Sequence, residues 1–447
     1  MSKSWPVGLV LLLVLLLVLL LVLGLVGCSE SPSEDAGVHT TPDAASVSQP
    51  AATEDPAALA QRVHDAVLVL DAHADIELPD KPSRYAGPDG VSRVAPLKMQ
   101  AGGVDAVVMA VAVGPGPRDE AGVAAAREIA DAEVAAVHAL VDEPANGMVL
   151  ARTADEVLAA HGAGQGALIL GFQNARILGT DVSAIDEFYD AGVRVFALTH
   201  MGHNDFADSS RPVFDGDTGS YEPDAEHGGL SELGKAAISR INALGGVVDI
   251  SQLSRQAALQ ALELTTSPVI ASHSNVQALS NVRRNLSDEE IDAIGENGGV
   301  IHIAAFKGYL FDSNDAALDA SIRAARREAG IPEDYDYPFE LYWELESFEA
   351  QQAFVTAVSE ILGPGSIEDM LDHVDYVIER IGVEHVGIGN DFNHGGGIAG
   401  LTDASEALNL TIAMLARGYS EEDIAKVWGG NFLRVFRAAE EGAQPGT

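Results

Sequence analysis

The chain has 447 residues, which is enough for one large domain with appendages. Its 47% hydrophobic content, with 45 Gly and 19 Pro, is that of an ordinary globular protein. Sixty-seven acidic residues against 26 basic ones give a formal net charge of −41, which argues against nucleic acid or an anionic surface as a partner. This acidity serves solubility or a salty habitat, or else it attracts cationic ligands.

An uninterrupted apolar run occupies residues 7–27, behind a start that contains Lys3. Such a run with a basic start is typical of an export signal, although it is also long enough to span a bilayer as a helix. It ends in a Leu-Val-Gly-Cys sequence at Cys28, which resembles the bacterial lipoprotein signal, where the cysteine is acylated and becomes the mature N-terminus. We therefore predict a signal peptide over 1–27 and lipidation of Cys28, with an uncleaved transmembrane anchor as the alternative.

Cys28 is the only cysteine in the chain, so no disulfide bond can form within it. Residues 28–56 are rich in Ser, Pro, Ala, Thr, Asp and Glu and show no apolar period, which is typical of a disordered tether. The sequence therefore predicts a folded domain over 57–447. We expect this domain to be exported, to face outside the cytoplasm in the cell envelope, and to contact the membrane through its lipid.

From residue 67 onward, short apolar runs alternate with helical stretches rich in Ala, Glu and Leu. This alternation is typical of a parallel sheet covered by helices, because strands buried on both faces are hydrophobic throughout. Eight such runs fit an α/β fold of the (β/α)8 TIM-barrel type, whereas an open doubly wound sheet lacks its usual G-x-G-x-x-G after the first strand. The predicted strands are 67–71, 105–111, 167–171, 193–198, 246–250, 268–271, 299–303 and 385–389.

Polar side chains follow six of these strands. They are His73 and Asp75 after the first strand, Gln173 and Asn174 after the third, Thr199 and His200 after the fourth, Ser251 and Gln252 after the fifth, Ser272, His273 and Ser274 after the sixth, and Asn390, Asp391, Asn393 and His394 after the eighth. Barrel enzymes keep their chemistry at the carboxyl ends of the strands. A single histidine at a strand end is more often structural, but six such ends at one rim predict a metal-dependent site.

These residues resemble the membrane (renal) dipeptidase family of zinc metallopeptidases, from about residue 57 to the C-terminus. The resemblance lies in the order and spacing of short motifs, which are DAHAD at 71–75, ALTH at 197–200, VDIS at 248–251, SHS at 272–274, RN at 284–285, GIGNDF at 387–392 and GGNFLR at 429–434. It implies an amidohydrolase-type barrel that hydrolyses the amide bond of dipeptides with a metal-activated water.

The family holds two zinc ions with an H-x-D pair, a bridging Glu after strand 3 and a His after each of strands 5 and 6. His73, Asp75 and His273 match three of these ligands, whereas Gln173 stands in place of the bridging Glu and Gln252 in place of the strand-5 His. An amide brings no charge and binds zinc poorly. We therefore expect one tightly held zinc ion, because a second site would keep a single good ligand.

The resemblance also implies roles around this ion. Asp391 matches the strand-8 aspartate that takes a proton from the attacking water, unless it ligates the single ion itself. His200 matches the histidine that binds the substrate carbonyl and stabilises the tetrahedral intermediate. Arg284 matches the arginine that binds the substrate carboxylate, with a surface or capping role as the alternative. His273 either ligates the ion or acts as a general acid/base.

Three loop histidines and one insertion lie outside this match. His203, His227 and His394 either are polar loop residues or rebuild a metal site from loops. The insertion between strands 7 and 8 runs from residue 306 to about 371 and carries the aromatic sequence DYDYPFELYW at 334–343. These rings would line a pocket, cover the mouth of the barrel as a lid, or make the subunit contact of a homodimer.

Three functions stay open on this basis. The first is an active dipeptidase, or a closely related amide hydrolase, with one metal ion. The second is a hydrolase of another carboxylate-bearing amide or lactone, and the third is a binding protein that lost catalysis with the two ligands. The retained polar residues favour a hydrolase over a binding protein; they are His73, Asp75, His200, His273, Arg284 and Asp391.

Overall fold

The computed structural model describes residues 55–79, 81, 85–215, 218–341 and 344–444. The predicted signal peptide, Cys28 and all but the end of the predicted tether lie outside these residues, as do Tyr342 and Trp343 of the insertion. Among the helices of the described residues, none combines the length and the apolar character that crossing a membrane requires.

Helices and strands alternate along the described chain. The α-helices are α1 (Pro56–Ala66), α2 (Pro96–Gly102), α3 (Glu120–Asp142), α4 (Ala154–Ala163), α5 (Ala184–Ala191), α6 (Glu232–Leu244), α7 (Arg255–Leu264), α8 (Asp288–Asn297), α9 (Lys307–Leu310), α10 (Ala316–Ala329), α11 (Phe348–Leu362), α12 (Ile367–Ile381), α13 (Ala407–Arg417), α14 (Glu421–Ala425) and α15 (Asn431–Gly442). The strands are β1 (Leu70–Asp75), β2 (Ala106–Ala112), β3 (Met148–Leu150), β4 (Gly166–Gln173), β5 (Val193–Ala197), β6 (Phe214–Asp215), β7 (Ser220–Tyr221), β8 (Val247–Asp249), β9 (Ile270–Ala271), β10 (Val300–Ile303) and β11 (Val386–Ile388).

Eight parallel strands form one sheet in the order β1-β2-β4-β5-β8-β9-β10-β11. The segment that follows β11 returns to β1, since Asp75 N donates to Phe392 O at 2.9 Å and Asp391 N donates to His73 O at 3.1 Å. The sheet therefore nearly closes into a barrel covered by helices. This confirms the predicted (β/α)8 architecture.

The eight predicted strands are all present, and besides shifts of one or two residues at their ends, four details differ from the prediction. The third predicted strand extends to Gln173, so Gln173 lies at its end and does not follow it. The first strand spans Leu70–Asp75 instead of 67–71, so His73 and Asp75 lie within it and do not follow it. A short strand, β3, pairs in parallel with β4 beside the main order. The other addition is an antiparallel hairpin of β6 and β7.

Both faces of the barrel strands are buried. Along β4, Leu168 and Leu170 belong to one hydrophobic cluster, whereas Ala167 and Ile169 belong to another. Because side chains alternate between the two faces of a strand, this division reflects core on each side of the sheet. It explains why the strands are hydrophobic throughout.

Helix starts are fixed by side-chain caps. Asp119, Thr153, Ser231 and Ser254 each accept a hydrogen bond from a backbone N–H of the following turn. Ser287 goes further and forms a reciprocal capping box at the start of α8. These caps satisfy N–H groups that have no partner within a helix, so these five helices start at defined residues.

The insertion between β10 and β11 has a hydrophobic cluster of its own. Ile322 of α10 and Phe354 and Val358 of α11 pack there with Tyr337 and Phe339. The barrel strands contribute to the other two clusters instead. The insertion thus covers part of the barrel as a separately packed layer.

Candidate functional site

Three side chains from three strand ends meet at the carboxyl rim. His73 lies in β1, His273 follows β9 and Asp391 follows β11, and one ligand atom of each lies within 4.8 Å of the other two. The two imidazole rings stack with centroids 3.7 Å apart, and His73 Nε2 lies 4.0 Å from Asp391 Oδ1. All three residues are buried. The structure therefore brings together three residues that the sequence placed on separate strands.

A close backbone approach holds two of these strand ends together. A Cβ atom at Gly389, which follows β11, would lie 1.9 Å from the carbonyl oxygen of Ser272, which follows β9. Glycine is the residue that permits this contact. It places His273 beside Asp391, two residues beyond Gly389 in the chain.

Positive φ angles mark the same rim. Asn174, Gln252, Asp391 and Asn393 have φ values of 86°, 66°, 60° and 65°. Residues with side chains rarely adopt this conformation, and such residues concentrate at functional sites. Here each of them follows the carboxyl end of a barrel strand.

A hydrogen-bonded carboxylate orients His273. Ser272 Oγ donates to Asp249 Oδ2 at 2.5 Å and lies 2.8 Å from His273 Nδ1. Because the serine hydroxyl uses its only proton in the hydrogen bond to the carboxylate, its oxygen accepts a hydrogen bond from Nδ1–H. His273 Nε2 then carries the lone pair towards the cluster, which is the arrangement of a metal-ligating histidine with an outer carboxylate.

A second buried carboxylate fixes the junction of β1 with the segment after β11. Asp71 Oδ1 accepts from Asn390 N at 2.9 Å and from His73 N at 3.2 Å, and Asp71 Oδ2 accepts from Asn390 Nδ2 at 2.9 Å. Burial raises the pKa of Asp71 to about 6 in spite of these bonds. The contacts hold His73 in register with Asp391.

Asp75 joins the cluster from the next position on the same face of β1. Its Oδ1 lies 3.4 Å from His73 Nε2, and its Oδ2 lies 2.5 Å from His394 Nδ1. Burial acts to raise the pKa of Asp75, but His394 and His73 outweigh it and hold that pKa well below its usual range. Asp75 is thus an ionised carboxylate at the edge of the cluster.

The two glutamines lie where the sequence places them, beside His273. Gln173 Nε2 is 3.4 Å and Gln252 Nε2 is 3.2 Å from His273 Nε2. Both side chains are buried. The positions are retained, and each is occupied by a neutral amide.

The buried polar atoms fit a metal ion. Asp75 Oδ1, Gln252 Oε1 and His200 Nδ1 are buried and have no hydrogen-bond partner among the described residues. Unsatisfied buried polar atoms are costly, so they call for a partner. His73, His273 and the nearby carboxylates form a nitrogen and oxygen donor set of the kind that binds zinc.

Burial also sets the protonation states. It raises the pKa of Asp391 to about 6, and it lowers the pKa of His273 and of His200 well below the usual range. Both imidazoles are therefore neutral near pH 7. A neutral imidazole is the form that binds metal.

Arg284 is buried next to the cluster, which excludes the alternative of a surface arginine. Its Nη1 donates to Ser274 Oγ at 2.9 Å, and its Nη2 donates to the carbonyl oxygen of His273. Its Nε has no hydrogen-bond partner among the described residues. Arg284 thus uses two of its donor groups to hydrogen-bond the strand end that carries His273.

The loop histidines separate into two groups. His203 Nε2 contacts Pro223 O at 2.7 Å and His227 Nε2 contacts Asn204 O at 2.8 Å, so both hold loop backbone, as polar loop residues would. His394 instead contacts Asp75 and packs edge-on against His200, with ring centroids 4.9 Å apart. It belongs to the site.

A cavity of about 310 Å³ lies beside the cluster, and His394 is one of its walls. The insertion supplies Tyr337 and Phe339, so its aromatic residues line a pocket. Arg211 and Lys307 also face this cavity and were not predicted. Each is an isolated basic residue in the sequence, and no motif marks either of them.

Comparisons with known proteins show to which family the sequence is similar. The family model for membrane dipeptidases, peptidase family M19, matches residues 57–446. Dipeptidase aclJ of Aspergillus oryzae is 30% identical over 285 residues, which are 64% of this chain and 54% of that protein. Dipeptidase tcpJ of Claviceps purpurea is 30% identical over 301 residues, 66% of this chain and 56% of that protein. The chain thus spans little more than half the length of these curated relatives.

Solved structures match over nearly their whole length. The crystal structure of the probable dipeptidase PvdM from Pseudomonas aeruginosa has a TM-score of 0.77 and 31% identity, and the match covers 87% of this chain and 99% of that one. A metallo peptidase from Rhodobacter sphaeroides, liganded with a phosphinate mimic of the dipeptide L-Ala-D-Ala, has a TM-score of 0.63 and 22% identity over 83% of this chain and 99% of that one. The second likeness concerns the fold alone.

Proposed function

Because the chain belongs to the membrane dipeptidase family, peptidase family M19, we propose that it hydrolyses the amide bond of dipeptides with the help of a bound zinc ion. The observation that carries this proposal is the buried group of His73, His273 and Asp391, which the fold assembles from three strand ends. Asp75 adds a second carboxylate beside His73.

A zinc ion held by these residues supplies a Lewis acid that activates the attacking water. Asp391 accepts the proton of that water, since its raised pKa of about 6 is suited to taking a proton and returning it to the leaving amine. His200 is neutral and leaves a ring nitrogen without a partner among the described residues, so it donates to the oxygen of the substrate carbonyl. Arg284 offers its unpartnered Nε to the substrate carboxylate.

Turnover of Gly-Ala-type dipeptides tests the proposal. We expect the zinc-loaded protein to cleave them, a chelator to abolish the activity, and added zinc to restore it. Hydrolysis of N-acyl amino acids or lactones, without cleavage of dipeptides, would favour the other hydrolase. Binding without turnover of any of these compounds would favour the binding protein.

We further propose that the site holds one zinc ion. Gln173 and Gln252 bring no negative charge, so a second dication next to His273 would lack the carboxylate that neutralises both ions. Elemental analysis of the folded protein is expected to give about one equivalent per chain. The double substitution Gln173→Glu with Gln252→His is expected to raise this to about two, because it restores a bridging carboxylate and an imidazole.

Two control variants accompany this measurement. His73→Ala removes a nitrogen ligand and is expected to lose the ion. His161→Ala changes a histidine on α4 that contacts Asp105 and is expected to keep it. Two equivalents of zinc in the unchanged protein would contradict the argument from charge.

For the N-terminal segment we propose a lipid anchor on Cys28 and a location in the cell envelope, facing outside the cytoplasm. The proposal rests on the apolar run 7–27 and on the single cysteine that follows it. Cys28→Ser is expected to release the protein from membranes or to block its maturation. Membrane fractionation and the intact mass measure this. A Ser variant that stays membrane-bound at its full precursor mass, with no lipid on the unchanged protein, would show that the run is a transmembrane anchor.

A further inference from the structure

Two cations face the cavity beside the cluster without an acidic partner. Neither Arg211 nor Lys307 forms an ion pair within 4.0 Å with any carboxylate of the described residues. The chain has 67 acidic residues against 26 basic ones, so partners for a cation are plentiful. Burial lowers the pKa of Lys307, and no carboxylate acts in the opposite direction. Burial acts to lower the pKa of Arg211, but the nearby tyrosines and Glu340 act on it from a longer range and raise that pKa. Neither cation has a carboxylate in direct contact, and a buried charge without such a contact favours an anionic ligand as its partner.

Aromatic rings fix where one of these charges lies. The Arg211 guanidinium sits 4.5 Å from the centroid of the Tyr337 ring, and the Tyr337 and Tyr309 rings are 5.7 Å apart. The Arg284 guanidinium lies 5.3 Å from the Tyr309 ring. The two arginines therefore flank a pair of tyrosines. Arg284 is on the side of the zinc cluster, and Arg211 is on the side of the insertion.

The two arginines differ in their free donors. Arg284 uses Nη1 and Nη2 within the protein, on Ser274 and His273. The guanidinium of Arg211 donates no hydrogen bond to the described residues and lies over the face of the Tyr337 ring. A planar guanidinium with all its donors free binds a carboxylate through two parallel hydrogen bonds.

The cavity also communicates with the proposed reaction centre. His394 lines it, contacts Asp75 of the cluster, and packs against His200. The cavity therefore adjoins the cluster through His394. At about 310 Å³ the cavity has room for a side chain of a molecule bound at the cluster.

We propose that this cavity is a specificity pocket for dipeptides with an acidic side chain, whose carboxylate is bound by Arg211 and Lys307. The inference rests on the proposed dipeptidase function and names its substrate class. The overall charge of −41 repels such substrates, so local positive charge is needed to hold them. Arg284 stays assigned to the backbone carboxylate, which keeps the two anionic groups of the substrate apart.

Isosteric substrate pairs test the pocket with the zinc-loaded full chain. We compare kcat/KM for Gly-Glu with Gly-Gln, and for Glu-Gly with Gln-Gly. The acid is expected to be preferred about tenfold or more at one of the two positions, because charged hydrogen bonds to carboxylates are worth at least that factor. Equal values at both positions for the unchanged protein would overturn the proposal.

Matched substitutions assign that preference to the two cations. Arg211→Met and Lys307→Met are each expected to reduce the acid-to-amide ratio towards one, whereas Arg211→Lys and Lys307→Arg keep part of it. Arg255→Met and Lys235→Met remove exposed cations that each pair with a glutamate away from the cavity, and they are expected to leave the ratio unchanged. Retention of the full ratio in both pocket Met variants would overturn the proposal.

Two further measurements separate this proposal from its rivals. The first is the ratio of kcat/KM for Gly-Ala to that for its C-terminal amide. If this ratio falls to about one in the pocket variants, while the acid-to-amide ratio for the side chain does not, the two cations bind the backbone carboxylate and the proposal is overturned. If the unchanged protein cleaves no dipeptide, the proposed function fails. Calorimetric binding of glutarate then tests carboxylate binding in the pocket without turnover. Tighter binding to the unchanged protein than to Arg211→Met supports the proposed pocket, and equal binding overturns it.

Discussion

Replacement of Asp391 by Asn is expected to lower kcat on a dipeptide by a factor on the order of 10²–10⁴, the range for loss of a positioned general base. Asn has nearly the same size as Asp, so the buried position stays filled. It lacks a basic oxygen, so it cannot take the proton of the attacking water. Steady-state kinetics on a Gly-Ala-type dipeptide measure the loss, and circular dichroism checks that the fold is retained.

The metal content of the same variant separates two roles for Asp391. A variant that keeps its zinc and loses turnover identifies a base, whereas a variant that loses both identifies a ligand. Asp142→Asn, an exposed position at the end of α3, is the matched control and is expected to behave as the unchanged protein. Activity of Asp391→Asn within tenfold of the unchanged protein would remove Asp391 from the proposed mechanism.

Gly389→Ala is expected to lower the free energy of unfolding by about 3 kcal/mol, the upper part of the range for overpacking a buried site. The added methyl group would lie 1.9 Å from the carbonyl oxygen of Ser272 and 3.1 Å from Cβ of His302. A backbone carbonyl cannot rotate away as a side chain does, so β9 and β11 must separate. The same movement draws His273 away from Asp391, and zinc affinity is expected to fall with stability.

Gly114→Ala is the control for this substitution. A methyl group there meets nothing within 4 Å. Its effect is expected to stay within about 0.5 kcal/mol, as for other substitutions at open positions. Chemical denaturation of both variants measures the difference. Equal unfolding free energies for Gly389→Ala and the unchanged protein would contradict this prediction and show that the two strand ends move apart without cost.

The barrel could be predicted from the sequence because its strands are buried on both faces. Continuous apolar runs such as Val107 to Val111 leave no polar face, and only a covered parallel sheet explains eight of them in a row. The error in the first strand has a related cause. His73 and Asp75 were read as residues beyond its end because they are polar, whereas they alternate with buried Ala72 and Ala74 inside it.

The order and spacing of the motifs predict the candidate metal cluster, and the aromatic residues of the insertion indicate a pocket as one alternative, but nothing in the sequence predicts Arg211 and Lys307 in that pocket. Arg211 meets Tyr337 across 126 positions of the sequence, and its position carries no pattern of hydrophobic or polar neighbours. For a similar reason, the sequence does not decide whether His394 is a polar loop residue or part of the site. A histidine six residues beyond a strand end has no fixed direction, and only the fold of that loop brings it to Asp75.

The metal cluster forms only when the barrel closes between its first and last strands, so its formation depends on the order of folding steps. Asp71 and Asn390 hydrogen-bond across 319 positions of the chain, and such distant contacts form late because a long loop must first be closed. His73 and Asp391 lie on opposite sides of this junction, so a chain that ends before β11 lacks Asp391 and cannot complete the donor set. If the site binds zinc as proposed, zinc uptake is expected to report completion of the barrel, and the bound ion is expected to resist its reopening.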